Sequence, residues 1–455
     1  MATGAASCAF LRRVRVACLD LVAGVERCTE LVVAYSGGRD STVLLHALAA
    51  YRDEFRISAL HVDHGLNPDS PEWVRRCQTQ CADLKLPLLV MRIDGGPARG
   101  SSVEAWAREQ RYHAFESRLT AHTMLLTAHH ADDQAETFLL NAARGAGPAG
   151  LRGIAPVRRL GAGWVGRPLL AFGGHEIARY AEHQDLRWIE DPSNELLDHD
   201  RNFLRHRVLP LLRERWPAIV SVFNRNAEHQ RANAAALDGV ADQVLAKGAL
   251  PQPTRLALRT ITALDPNLGK IVLRRWIERA GFPLPNAAHL AQIVTTVIGA
   301  RDDRMVEFAW KGAVLRRYRE VLYLGWPSPT SPAAFSVHWD FKKPLMLPWG
   351  VLSATPMLAT ESNALLTSND AVTIRTRLGG ERCQPSGRAH GQTLKHALQE
   401  RGIPPWERHV LPLVYVDEQL AAVADLFVCA PYVAKVGEIG WALHWESGAY
   451  TRPPP

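Results

Sequence analysis

The chain has 455 residues, more than one hydrophobic core usually supports, so two or three domains are expected. Its 47% hydrophobic and 22% charged residues place it among ordinary soluble globular proteins, and no apolar run is long enough to span a bilayer. A net charge of +7 leaves a polyanionic partner open without identifying one.

Near the start, Arg12, Arg13 and Arg15 precede the first acid, Asp20, as in a transit peptide, but no apolar stretch follows that would make a signal peptide. With a strand beginning at Leu31, a short leading helix and a cytoplasmic location are expected. The seven cysteines include no Cys-x-x-Cys pair, and Cys77 and Cys81 stand four apart without a histidine cluster. Reduced structural thiols are therefore expected rather than zinc.

Leu31–Tyr35 is a short valine-bearing apolar run, as a buried parallel strand requires. Ser41–Ala50 follows with Val43, Leu44, Ala47 and Leu48 at helical spacing. Strand patterns recur at 57–62, 86–93 and 124–128, and helical ones at 103–119 and 133–143. This alternation predicts right-handed crossovers and an open parallel α/β sheet, with ligands beyond the carboxyl ends of its strands. After Trp216-Pro217 the pattern becomes mainly amphipathic helix, including 270–280 and 287–297. A Pro/Ser-rich linker at 326–332 then leads into short strand-like segments such as 372–377 and 413–416. Three units are expected, at 1–217, 218–325 and 333–448.

Between the first strand and its helix lies Ser36-Gly37-Gly38-Arg39-Asp40-Ser41. Two glycines let backbone N–H groups approach a phosphate, Ser36 and Ser41 add hydroxyl donors, and the helix aims its positive end at the same point. Asp40 cannot bind a phosphate oxygen directly; a carboxylate there points to Mg²⁺ bridging to phosphate. The structural alternative is a tight turn with Ser41 as helix cap. With no Gly-Lys-Ser/Thr the loop is not a kinase-type P-loop, and it suits retention of pyrophosphate, hence adenylyl transfer from ATP.

Three further clusters follow. In Thr127-Ala-His-His-Ala-Asp-Asp-Gln-Ala-Glu136, Asp133 and Glu136 share a helix face; they read either as a capping box or as carboxylates able to take a proton from an incoming ammonium. Glu104, Arg108 and Arg111 form a helical stripe, either a solvent-exposed ion-pair row or a substrate clamp. Asp200-Arg-Asn-Phe-Leu-Arg-His-Arg207 offers Arg201, Arg205 and Arg207 to a nucleic-acid backbone, or to solvent.

Taken together, these clusters resemble those of the tRNA(Ile)-lysidine synthetases, of the N-type ATP pyrophosphatase (PP-loop) superfamily. His61-Val-Asp-His-Gly-Leu66, Glu104-Ala-x-Ala-Arg-x-x-Arg-Tyr112, Arg144-Gly-x-Gly-Pro-x-Gly-Leu151, Arg167-Pro-Leu-Leu170 and Trp188-Ile-Glu-Asp-x-Ser-Asn194 extend the match in order. Gln399-Glu-Arg-Gly-Ile-Pro-Pro-Trp406 and Leu394-Lys395 resemble the family's terminal domain, with His396 where a second lysine is common. The resemblance implies an adenine nucleotide alpha-hydrolase sheet, then a mainly helical domain and a small α+β C-terminal domain, the latter two binding tRNA.

The reaction it implies has two steps. The carbon-2 oxygen of the wobble cytidine in a CAU anticodon attacks the α-phosphate of ATP and expels pyrophosphate. The ε-amine of L-lysine then attacks that carbon and expels AMP, leaving lysidine. On this sequence, Ser36–Ser41 would hold pyrophosphate, with Mg²⁺ at Asp40. Asp133 would deprotonate lysine, and Glu136 would hold its ammonium or α-amino group. Arg108, Arg111 and Arg205 would take the lysine carboxylate or the activated nucleotide. Isoleucine tRNA is the implied partner, with no membrane and no obligate protein partner. Superfamily thiolases are the nearest rivals, but they typically use a persulfide cysteine or a metal cluster. A tRNA-binding module with an idle loop would not need Asp40, Asp133 and Glu136 together.

Overall fold

The computed structural model describes residues 2–97, 103–192, 199–300, 305–327, 335–360, 364–365 and 372–447. Two compact units divide between Ala236 and Leu237.

The first unit opens with a helix, α1 (Ala2–Ala23), and then alternates strand and helix: β1 (Glu30–Ala34), α2 (Arg39–Ala49), β2 (Arg56–Asp63), α3 (Ser70–Asp83), β3 (Leu88–Arg92), α4 (Val103–Glu116), β4 (Thr123–Leu126) and α5 (Ala131–Ala143). After a short helix, α6 (Pro148–Leu151), come a hairpin of β5 (Val157–Leu160) and β6 (Gly163–Gly166), then α7 (Gly174–His183). The sheet order is β3-β2-β1-β4-β6-β5, parallel throughout except for the edge strand β5. The parallel core is the one expected; the antiparallel hairpin is an addition.

Side-chain alternation along β1 explains its two covered faces. Leu31, Val33 and Tyr35 enter a core shared with Phe10, Val14 and Cys18 of α1, Leu44 and Leu48 of α2, and Ile177 and Tyr180 of α7. Val32 and Ala34 point the other way, into a cluster with Phe115 of α4, Leu125 of β4 and Val165 of β6. A strand buried on both faces must be apolar at every position, which is why it was legible as a continuous run. The chain leaves β1 for β2 on one side, while β4 pairs on the other. The crevice at this switch of direction, beyond the carboxyl ends of β1 and β4, is where open α/β sheets bind ligands.

Downstream, α8 (Asp200–Phe203) passes through a π-helical turn at Leu204–Val208 into α9 (Leu209–Arg215), followed by α10 (Ile219–Lys247).

The second unit begins within α10 and contains the expected helices, at Pro266–Arg279 and Ala287–Ile293. It adds a four-stranded antiparallel sheet: β7 (Arg255–Ala257), β8 (Val306–Trp310), β9 (Ala313–Tyr318) and β10 (Val321–Gly325), in the order β7-β10-β9-β8. Its later part holds a five-stranded sheet that includes Val372–Arg375 and Leu413–Val416, a three-stranded sheet and the helix Leu394–Glu400. Most of the expected linker, 328–332, lies outside the described residues, as do Ser193 and Asn194 of the Trp188 motif.

Candidate active site

The phosphate-type loop lies at the carboxyl end of β1, and its conformation is held by its own side chains. Gly37 has φ +83, and a Cβ there would lie 2.5 Å from Ile189 Cδ1 and 3.0 Å from Cys77 Sγ, so both backbone and space demand glycine. The Gly37 carbonyl accepts bonds from the Ile189 N–H (2.9 Å) and the Thr42 hydroxyl (3.3 Å). Ser41 Oγ donates to the Gly38 carbonyl at 2.9 Å and lies 3.1 Å from Ser36 Oγ. Gly38 is the N-cap of α2, and a Cβ on it would meet only Ser36 Oγ at 3.5 Å. The helix therefore starts at Arg39, with Ser41 inside its first turn rather than capping it. Its opening N–H groups and the open space over Gly38 form an anion cradle.

Gly37→Ala is expected to displace this loop, because the clash is with packed side chains and the backbone is in the left-handed region. A rise of at least about tenfold in KM for ATP, with little change in melting temperature, would mark a local defect. An unchanged KM would show that the loop can relax.

Asp40, in the first turn of α2, has a third of its side chain exposed and lies 3.5 Å from His130 Nε2. Arg39 Nε donates to its other oxygen at 3.0 Å. Burial works to raise the Asp40 carboxyl, but the hydrogen bond and charge of His130, helped by Arg39, outweigh it and hold it below the usual carboxylate value.

His130 caps α5 at the end of the β4 loop, and its backbone N–H donates to Asp133 Oδ2 at 2.9 Å. The capping partner of Asp133 is thus His130, not Glu136, and Asp133 caps with one oxygen while the other faces Arg205 Nη2 at 3.1 Å. His130 Nε2 also lies 3.5 Å from Asp133 Oδ2. Burial would lower the imidazole, yet Asp40 and Asp133 together raise it above its ordinary value. The Asp133 carboxyl is correspondingly lowered: burial opposes ionisation, and the charges of His130 and Arg201 overcome it. His129, by contrast, is driven down to about 4 by burial, with Arg167, Arg201 and Arg108 contributing, and it bonds Thr127 Oγ1 through Nδ1 at 2.8 Å.

Glu136 is only 1% exposed, which makes its partners decisive. Arg205 Nε reaches Oε1 at 2.7 Å and its Nη2 reaches Oε2 at 3.1 Å, while Arg201 Nε donates to Oε2 at 2.9 Å. Arg201 and Arg205 therefore face inward onto α5 rather than outward to solvent or a nucleic-acid backbone. Their four-residue spacing across α8 and the π turn brings both to one buried carboxylate; such turns recur at functional sites. Asp132 is engaged separately, accepting from the Gly174 N–H at 2.7 Å and pairing with Arg213.

Asp40, His130, Asp133, Glu136, Arg201 and Arg205 thus form one continuous charged network at the switch point. His130 and Arg201 were not among the expected site residues, although both stand inside the motifs that supplied the others. Arg108 and Arg111 lie on α4: Arg108 stacks on Tyr112 at 5.3 Å, and Arg111 helps depress the half-buried His64. The Glu104 side chain lies outside the described residues.

The network has a pH signature. The folded-state value of His130 is raised above its unfolded value of 6.5, so its stabilisation is complete below about pH 6.5 and is lost as pH rises through the raised value. Asp40 and Asp133 are lowered from 3.8, so their stabilisation is present above about pH 4 and is lost as pH falls through the lowered values. In chelator-treated protein the melting temperature is expected to decline as pH rises above about 6.5. His130→Gln should flatten that decline; an equal decline in the variant would assign it to other groups.

Sequence comparisons agree with this architecture. A PP-loop domain model matches residues 14–212, a TilS substrate binding domain model 256–323, and a TilS substrate C-terminal domain model 372–445. A tRNA(Ile)-lysidine synthase of Coxiella burnetii is 40% identical, covering 90% of this chain and 91% of that protein. One from Xanthomonas campestris pv. campestris is also 40% identical, over 92% of this chain and 95% of that protein. The U34-tRNA thiolase NcsA from Methanococcus maripaludis aligns with a TM-score of 0.40 at 17% identity, covering 48% of this chain and 76% of that one. On identity sustained over nine-tenths of its length, the chain belongs to the tRNA(Ile)-lysidine synthase family.

Proposed function

We propose that the protein is an ATP-dependent ligase that adenylates carbon 2 of the wobble cytidine in the CAU anticodon of isoleucine tRNA and couples L-lysine to it, releasing pyrophosphate and AMP. The observation that carries this reading is the anion cradle of Ser36–Ser41 at the switch point, facing the carboxylate–arginine network across Asp40 and His130. The cradle matches a leaving pyrophosphate, and it lacks the lysine that a γ-phosphoryl transfer would use.

Mg²⁺ fits Asp40. Such an ion is usually held through one or two carboxylates plus substrate phosphates, and at Asp40 it would neutralise charge building on the pyrophosphate. Among the described residues no group of three or more His, Cys, Asp or Glu is arranged to hold a metal by itself, so Asp40 would work together with the phosphates.

Asp133 is assigned to accept the proton of the attacking lysine. Its lowered value makes it a weak base while both arginines face it. If the lysine carboxylate draws Arg201 and Arg205 away, the basicity of Asp133 rises, which couples amine deprotonation to lysine binding. Both oxygens of Glu136 are occupied by arginine, so its role is to present Arg201 and Arg205 rather than to hold an ammonium. Arg111 remains assigned to the lysine carboxylate or the activated nucleotide.

Residues 218–325 and 333–448 are assigned to tRNA binding, supported by the two substrate-domain models. A cytoplasmic location goes with that substrate; among the described residues no helix is long and apolar enough to cross a membrane.

The test is incubation with ATP, Mg²⁺, labelled lysine and an anticodon-CAU tRNA transcript. Lysine incorporation with equimolar AMP is expected. Folded protein that incorporates none sinks the proposal.

A further inference from the structure

A second charged assembly lies beside the network and takes no part in it. The hairpin register pairs Arg158 on β5 with Val165 on β6, and Val165 packs on the face covered by α4. Arg158 therefore points to that face, and Arg167, two residues beyond Val165, follows the same alternation. Both meet Tyr112 of α4. The Arg158 guanidinium carbon stands 4.9 Å from the ring centroid, with Arg108 at 5.3 Å. Arg167 is only 6% exposed; its Nη1 bonds the Ala155 carbonyl at 2.5 Å, while its buried Nε has no hydrogen-bond partner. Among the described residues none of these three arginines is paired with a carboxylate, unlike Arg201 and Arg205.

Charged residues on an edge strand often only block unwanted pairing. That explains Arg159, which is exposed and stacks at 4.2 Å on Trp164. It does not explain Arg158 turned inward, or Arg167 buried with an idle donor beside like charges. The repulsion is felt within the cluster: burial lowers Arg167, and Arg158 and Arg108 lower it further. Burial would raise the Tyr112 phenol, but the surrounding arginines pull it below its usual value. Three guanidinium groups gathered around one phenol, with no carboxylate partner among the described residues, leave a concentration of positive charge that suits an anion.

We propose that Arg108, Arg158 and Arg167, gathered around Tyr112, bind the phosphodiester backbone of the RNA substrate and so position the anticodon loop over the Asp40–Asp133 crevice. This rests on the ligase reading above. A lysine carboxylate carries one charge and would leave the cluster overcompensated, whereas RNA supplies one charge per nucleotide. The imidazole of His129, on the loop after β4, feels the charges of Arg167, Arg201 and Arg108, so the cluster and the network act on one neighbouring group.

The experiment measures binding of the full-length protein to an anticodon-CAU tRNA transcript between roughly 50 and 200 mM salt, alongside KM values for ATP and lysine. Arg158→Ala is expected to weaken tRNA binding about tenfold and to flatten the log–log salt slope by about 1, with both KM values within twofold of the parent. Arg158→Lys should retain the slope. Should Arg158→Ala lower the melting temperature markedly, Arg108→Ala, on an exposed side chain, carries the same expectation. Unchanged tRNA affinity and slope overturn the proposal, as does a raised KM for lysine with intact tRNA binding, which would make this a carboxylate site. If Arg158→Ala changes affinity and slope as expected but the parent protein incorporates no lysine, the ligase reading alone is refuted. Parent protein that binds no tRNA refutes both.

Discussion

Replacing Asp40 with alanine is expected to reduce AMP and pyrophosphate formation by about 10³-fold, the scale on which a preorganised electrostatic group contributes to a transition state. Asp40 sits in the first turn of α2 with a third of its side chain in solvent, so its removal leaves the core untouched. His130 keeps its contact with Asp133 at 3.5 Å, which preserves the far side of the crevice. The loss should therefore appear mainly in turnover, with melting temperature falling only by what the Asp40–His130 and Asp40–Arg39 contacts contribute. Asp40→Glu retains the charge and should recover part of the rate, most visibly at raised Mg²⁺ concentration. An Asp40→Ala variant with parental turnover at low Mg²⁺ would remove the metal role and leave Asp40 as a partner of His130 only.

The elements that proved legible in the sequence are those whose physics is local. β1 and β4 are almost wholly apolar because both their faces are covered, and the Gly37 turn shows itself because only glycine fits φ +83 against Ile189. The hairpin was not legible. Val157-Arg-Arg-Leu160 and Gly163-Trp-Val-Gly166 are four residues each, and half of the first is charged. The inward turn of Arg201 and Arg205 was hidden for another reason. In a stretch with an arginine at 201, 205 and 207, periodicity cannot tell a guanidinium facing solvent from one facing a buried carboxylate 65 residues earlier.

The same limit applies in the second unit. The sheet at 255–325 is built on turns such as Arg319 at φ 53, where a charged residue occupies a left-handed position that glycine or asparagine would normally flag. The Pro-Pro-Trp signature reads as a motif in sequence, but in the structure Trp406 packs edge-on against Tyr323 at 5.3 Å and Glu407 pairs with Arg255 at 3.0 Å. Those contacts give the motif a packing role whatever else it does.

Glu136→Gln should be the most damaging conservative change in the first unit. The carboxylate is 1% exposed and accepts three bonds from two guanidinium groups. Glutamine keeps the shape, loses the charge, and presents an NH₂ to a donor-only partner. Breaking a buried pair from one side costs about 3–5 kcal/mol. Arg201 and Arg205 keep about a third of their surface in solvent, so the lower end, about 3 kcal/mol, is expected. Activity should fall further than stability, because both arginines lose the anchor that aims them toward Asp133.

A double-mutant cycle separates this from a simple packing defect. If Glu136 acts by holding Arg201, Arg201→Gln in the Glu136→Gln background should cost at least about 1 kcal/mol less than in the parent, since the contact is already gone. Arg205→Gln should behave likewise in stability, but in activity it should still be severe, because Arg205 alone also reaches Asp133 Oδ1 at 3.1 Å through a hydrogen bond. Strict additivity for both arginines would show that the three residues do not function as a unit, and the proposed coupling of Asp133 basicity to the two arginines would fall with it.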